Sequence, residues 1–142
     1  MPYDPVMVAP MRREMVEMGA KELTTAAEVE KFLSQKGGTT LVFINSVCGC
    51  AAGSARPGLR MAFQNEHRPE RFATVFAGQD VEAVQKVRSY LPDIPPSSPS
   101  AVLFKDGKVV HFVPRHQIEG RDAASVAYNF VTAFDEYCTI GV

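Results

Sequence analysis

Residues 39–46 read Thr-Thr-Leu-Val-Phe-Ile-Asn-Ser, and no other stretch constrains the fold as tightly. The run is short, rich in β-formers and apolar on both of its alternating faces. Such a strand must be covered above and below, which places it in the middle of a sheet with helices on both sides. Val47-Cys48-Gly49-Cys50 follows at once. After Gly49 the pattern turns helical through Leu59, Met61 and Phe63. Pro57 is set to kink that helix or to mark its true start. A central strand therefore delivers two cysteines, one glycine apart, to the beginning of a helix.

The rest of the chain supplies the cover. "YDPVMVAP" reads as an extended arm. "MRREMVEMG" reads as a helix with Met11, Met15 and Met18 on one face and Gly19 as its stop. Methionines at that spacing pack cores. Thr25-Ala26-Ala27-Glu28 has capping-box spacing and opens a helix through Val29, Phe32 and Leu33, ending at Gly37-Gly38. "RFATVFA" reads as a second strand. Asp80 is the expected N-cap of a helix whose Val81, Val84, Val87 and Leu91 share a face. The prolines of "PDIPPSSPS" make it a loop. In "AVLFKDGKVVHFV", Asp106-Gly107 is a turn dipeptide between apolar runs, the mark of a hairpin. Asp122 caps a last helix with Ala123, Val126, Ala127, Phe130, Ala133, Phe134 and Tyr137 along one stripe.

The order is helix, helix, then β-α-β-α-β-β-α. The first two strands are expected to be parallel with a right-handed crossover, the last two antiparallel. This is an α/β fold with a mixed central sheet flanked by helices. Its 142 residues, without internal repeat or low-complexity tract, suit one domain. The expected core spans about residues 39–138, with an N-terminal extension over 1–38.

Composition narrows the function. The chain is 46% hydrophobic and 22% charged with a formal net charge of −1, ordinary for a soluble protein. It lacks the basic stripe of a nucleic-acid binder. No apolar run approaches the roughly 20 residues that span a bilayer. The N-terminus carries Asp4 and two prolines where a signal peptide has a basic start and an apolar stretch of about 7–15 residues. The expected compartment is the cytoplasm, where structural disulfides are rare. Three cysteines there point to catalysis, redox sensing or metal binding.

Cys48 is the expected nucleophile. A helix N-terminus stabilises negative charge, so a thiolate there has a lowered pKa. Cys50 is near enough to close back on a mixed disulfide and release the partner, with Gly49 giving the connection its backbone freedom. A disulfide across one residue closes a small ring and is expected to reduce easily. Two other readings stand beside this one. The pair could be packed thiols, or it could hold a metal with help from Cys138, His67, His111 or His116, although no second Cys/His pair is recognisable. His111 and His116 also admit a Cys–His reading, with plain packing as the alternative. Asn45 and Ser46 are candidates to cap the helix or touch the thiolate. Arg56 and Arg60 could attract an anionic thiol ligand, or be solvated helix-face residues.

Taken with its element order, the chain resembles the thioredoxin superfamily from about Thr39 to Tyr137. Ser98-Pro99-Ser100-Ala101-Val102-Leu103-Phe104-Lys105-Asp106-Gly107 looks like that family's cis-proline, strand and hairpin turn. The resemblance implies that Pro99 is cis and sets the Ser98 backbone beside Cys48, where an extended target segment would pair. The chain departs from thioredoxin in having CxC rather than CxxC, no preceding tryptophan, and no carboxylate in "LVFINS". "YDPVMVAPMRREMVEMGAKELTT" followed by "LVFINSVCGCAAGSARPG" is similar to the bacilliredoxin family over nearly the whole length. That resemblance implies a cytoplasmic thiol–disulfide oxidoreductase with no bound cofactor. Its co-substrate would be bacillithiol, a low-molecular-weight thiol, and its partners bacillithiol-modified proteins. Cys48 would attack, Cys50 or a second bacillithiol would resolve, and weak disulfide isomerase activity would accompany the exchange. A general isomerase or reductase, a non-enzymatic redox sensor and a metal carrier are the competing functions.

Overall fold

A computed structural model describes residues 2–138 of the chain. Helix α1 (Pro5–Glu17) contains the helix expected from Met11 and extends back over residues 5–10, a stretch expected to be an extended arm. Asp4 caps it by accepting the Val6 N–H, and Pro5 at the first turn presets the helical φ. Pro10 lies inside the helix and removes one ladder bond, so packing must hold it. Val8 and Met15 are fully buried, while Met11 and Met18 are half-buried. Arg12 ties α1 down through Glu22 at 3.0 Å and Asp80 at 2.6 Å.

Strand β1 (Lys21–Glu22) follows. Two residues are too few to show a periodicity, and the sequence reading missed it. Helix α2 (Ala26–Leu33) has the capping box between Thr25 and Glu28. It ends at Ser34, short of the glycines, which instead take left-handed φ values of 74° and 78° on the way into β2. Strand β2 (Thr39–Asn45) is buried at every position. Residues 49–50 are helical and 51–55 form a wider π-type turn. Helix α3 (Arg56–Ala62) then begins with Pro57 at its second residue, so the proline marks the start of the α-helix. Leu59 is buried but Met61 faces outward.

Strand β3 (Arg71–Phe76) leads to α4 (Val81–Ser89). Asp80 stands at the N-cap position, yet its side chain serves the Phe76 N–H and Arg12 instead of the helix. Ala83, Val84 and Val87 are the buried face of α4; Val81 is exposed and Leu91 is buried beyond the helix end. Strands β4 (Ser100–Lys105) and β5 (Lys108–Val113) form the hairpin, with Asp106 and Gly107 at φ 51° and 82° as a two-residue turn requires. A 3₁₀ turn (Arg115–Gln117) precedes α5 (Ala123–Tyr137), whose cap Asp122 accepts the Ser125 N–H.

The sheet order is β1-β3-β2-β4-β5. β1 and β2 run parallel to β3, while β4 pairs antiparallel with both β2 and β5. The alternation along β2 divides the core. Leu41 and Phe43 pack with Met15, Leu59, Phe130 and Phe134 from α1, α3 and α5. Val42 and Ile44 pack with Val29, Val84 and Val87 from α2 and α4. A β2 Cβ period of two thus sends each neighbour to a different layer. No helix among the described residues is long and apolar enough to cross a membrane.

Candidate active site

The site forms where β2 ends. The Ser46 N–H donates to Asn45 Oδ1 at 2.9 Å, and Ser46 Oγ accepts the Cys48 N–H at 3.0 Å. The Cys48 carbonyl then accepts the Ala51 N–H at 2.9 Å and the Ala52 N–H at 3.3 Å. Cys48 therefore opens the helical run, the position where a thiolate meets exposed N–H groups. Its Sγ lies 2.8 Å from Cys50 Sγ and accepts the Cys50 N–H at 3.4 Å. Both thiols are free and half-buried. Gly49 is helical rather than left-handed, and a Cβ there would meet nothing within 4 Å. With the thiols reduced, the freedom expected of Gly49 is not called upon.

The two sulfurs differ electrostatically. The Cys50 thiol donating to Cys48 is the main cause that lowers the Cys48 pKa, joined by the Cys50 N–H, the positive charge of Arg115 and the Ala51 N–H, against the opposing effect of burial. Cys50 is pushed up to about 11, first by burial, then by its hydrogen bond to Cys48 and the neighbouring negative charge. One thiol is made ready to ionise and the other is kept protonated.

Ile44 pairs with Ser100, so the residues preceding β4 run back toward the cysteine end of the sheet. Ser98–Pro99 is cis, as the resemblance implied. Ala101 pairs with Val113, so the residues after β5 reach the same end. There the Arg115 N–H donates to Ser97 Oγ at 3.3 Å and Arg115 Nη1 to the Ser98 carbonyl at 3.4 Å. Its Nε and Nη2 both donate to Glu119 Oε2, at 3.0 and 2.8 Å. A Glu119 carboxylate oxygen and both sulfurs lie within 4.8 Å of one another. An open groove of about 390 Å³ shares Arg115 and Glu119, and is walled by Ile94, Pro95, Pro96 and Phe112. The proline-rich loop thus borders the thiol site.

Arg115 and Glu119 escaped the sequence reading. Their i, i+4 spacing in "RHQIE" was the available signal. Only the hairpin's return to the sheet end gives it meaning. Arg56, by contrast, is neither solvated nor aimed at a ligand. It is buried, with Nε donating to Glu14 at 2.6 Å and Nη1 to Asn45 Oδ1 at 2.9 Å and the Ser46 carbonyl at 3.0 Å. Asn45 also donates to the Met11 carbonyl at 3.1 Å. Asn45 and Ser46 hold the helix start. Arg60 is exposed on α3.

The other candidate metal ligands do not join the pair. Nδ1 of His67 contacts Asp135 at 3.0 Å and Nε2 of His111 contacts Asn129 at 2.8 Å. Cys138 is buried in the core, and burial pushes its thiol up. His116 lines the groove. Among the described residues the cysteines have only Glu119 as a third group within ion-sharing distance. Structural zinc sites take four protein ligands.

Residues 3–138 match the family model described as Disulphide isomerase. A bacilliredoxin of Shouchella clausii is 53% identical over 132 residues, covering 93% of this chain and 91% of that protein. One from Salinibacter ruber is 51% identical over 140 residues, 97% and 82% of the two chains. One from Cytophaga hutchinsonii is 51% identical over 134 residues, 94% and 98%. Among solved structures, Fasciola hepatica thioredoxin superposes with a TM-score of 0.54 at 24% identity, covering 80% of this chain and 98% of that one. Oxidised Plasmodium falciparum thioredoxin gives 0.57 at 18% identity, covering 84% and 98%. The fold is that of thioredoxin.

Proposed function

The chain belongs to the bacilliredoxin family and matches the family model described as Disulphide isomerase, and from that membership we propose that it removes bacillithiol from mixed disulfides on protein cysteines. It is a thiol–disulfide oxidoreductase. The observation that carries the reading is the asymmetry of the pair. Cys48 is stabilised as the thiolate while Cys50, 2.8 Å away, is held as the thiol.

In this reading the Cys48 thiolate attacks the bacillithiol sulfur of the mixed disulfide. The target cysteine leaves as a thiolate and takes a proton. Bacillithiol is now joined to Cys48. Cys50 then attacks the Cys48 sulfur, bacillithiol departs, and an external thiol later reduces the Cys48–Cys50 disulfide. Gly49 keeps the two sulfurs one residue apart. Ser98 and Pro99, at the same end of the sheet, would position the target's extended backbone. The expected setting is the cytoplasm, among bacillithiol-modified proteins.

A second activity, exchange among protein disulfides, uses the same atoms and is favoured by the family model's description. Competition between a scrambled disulfide protein and a bacillithiol-modified target separates the two. The primary test is mass spectrometry of a bacillithiol-modified target treated with wild type, Cys48→Ala and Cys50→Ala. Cys50→Ala is expected to trap one bacillithiol on Cys48, and Cys48→Ala to leave the target modified. If all three proteins behave alike and no adduct forms, the exchange mechanism is wrong.

A further inference from the structure

Resolution by Cys50 poses a proton problem. The attacking species is the thiolate, yet the Cys50 thiol is partly buried, and burial, the first cause that raises its pKa, persists when Cys48 is held in the mixed disulfide. The strand behind it, Thr39–Asn45, contains no carboxylate to accept its proton. Among the described residues, the titratable groups gathered at this end of the sheet are Cys48, Cys50, Arg115, His116, Glu119 and Arg88, whose Nη2 donates to the Ser97 carbonyl. Of these only the Glu119 carboxylate shares the 4.8 Å cluster with both sulfurs.

We propose that Glu119 is the proton acceptor for Cys50 in the resolving step. The proposal rests on the reading of Cys48 as nucleophile and Cys50 as resolving thiol, and adds a residue that reading does not contain.

Three features of the geometry support it. The carboxylate is close enough for transfer through one water, or directly after a side-chain rotation. Arg115 places both Nε and Nη2 on Oε2, and among the described residues no hydrogen bond falls on Oε1. Arg115 is itself fixed to the Ser97 and Ser98 backbone region, so the acid is held at the site by a side chain anchored on the opposite loop.

The step balances as follows. The proton moves from Cys50 Sγ to the Glu119 carboxylate as the Cys50 sulfur attacks the Cys48 sulfur. The Cys48–Cys50 bond forms while the bond from Cys48 to the captured thiol breaks. The Cys50 sulfur is oxidised, the departing sulfur is reduced, and Cys48 keeps its oxidation state. The departing thiolate takes the proton from Glu119 and restores the carboxylate.

The test uses one equivalent of 4,4′-dithiodipyridine, an uncharged aromatic disulfide, on the reduced full-length protein. The first thiopyridone released reports attack by Cys48, and the second reports resolution by Cys50. In Glu119→Gln the ratio of second to first rate is expected to fall by about tenfold or more at pH 7. The deficit should close as pH rises and hydroxide replaces the base, and Glu119→Asp should recover part of it. A carboxylate acting only by its charge predicts the opposite sign. Removing it would ease Cys50 ionisation and speed the second phase. A ratio that is unchanged or raised overturns the proposal. A first phase that is missing from wild type, or that survives Cys48→Ala, overturns the nucleophile reading itself and the Glu119 step with it.

Discussion

Arg56 Nη1 donates to Asn45 Oδ1 at 2.9 Å, joining the helix that follows the thiols to the strand that precedes them. The same nitrogen reaches the Ser46 carbonyl, and Nε reaches Glu14 on α1. One buried guanidinium thus fixes both ends of the cysteine loop and fastens the N-terminal helix to it. Arg56 is only 3% exposed, so its hydrogen bonds have no ready substitute in water.

Removing that group should cost stability. Arg56→Met deletes a bond to a carboxylate and two bonds to buried acceptors; Asn45 Oδ1 keeps the Ser46 N–H, while the Ser46 carbonyl loses its Arg56 donor. The expected loss is about 2–4 kcal/mol, by analogy with broken buried pairs. Urea unfolding checks this through a lower midpoint with an unchanged slope. A midpoint equal to that of wild type would show that the network is ornamental.

The reactivity of Cys48 should depend on its neighbours in a set order. The rate of its alkylation by iodoacetamide should rise with pH through a midpoint below that of an ordinary thiol. Cys50→Ala removes the largest cause of that shift, so the midpoint should move up. Arg115→Gln removes a weaker, exposed one. The rate at pH 7 should fall by up to about fivefold, the scale of one exposed charge interaction, and less in high salt. Equal midpoints in wild type and Cys50→Ala would remove the basis for the asymmetry of the pair.

Alkaline pH should weaken the fold under reducing conditions. Cys50 titrates near 11 in the folded protein, above its value in the unfolded chain, and burial shifts Cys138 in the same direction. Above the unfolded value the unfolded chain releases these protons while the native protein keeps them. Stability then falls as pH rises, from about 8.5 toward 11. Cys48 has the opposite sign: its lowered value adds stability that is present above the unfolded pKa and lost as pH falls through the folded one. Melting temperatures of the reduced protein between pH 8 and 11 should therefore decline, and Cys50→Ala should decline less steeply. Parallel curves for the two proteins would mean that Cys50 carries none of the slope.

Local chemistry wrote much of this protein into its sequence. The buried run from Thr39 to Asn45 dictated a central strand. The Thr25–Glu28 spacing dictated a capped helix, Asp106-Gly107 a hairpin, and Cys48-Gly49-Cys50 a thiol pair at a helix start. Each signal depends on residues within a few positions of one another, where propensity and periodicity decide. Tyr3 to Pro10 reads in isolation as an extended arm. Asp4 and Pro5 in fact form a helix start, and burial of Val8 and Met15 offsets the bond lost at Pro10. What only the tertiary structure decided are the relationships across distance in sequence. Arg56 is ten or more residues from its strand partners and 42 from Glu14, so nothing local distinguishes it from a solvated arginine. Arg115 and Glu119 reach the sulfurs solely because β5 runs antiparallel to β4 and β4 antiparallel to β2, which returns the chain to the end of the sheet where Cys48 stands. The sequence determined where the two thiols stand, at a helix start after the central strand; the sheet's topology decided which charges surround them, because charge acts through space and not along the chain.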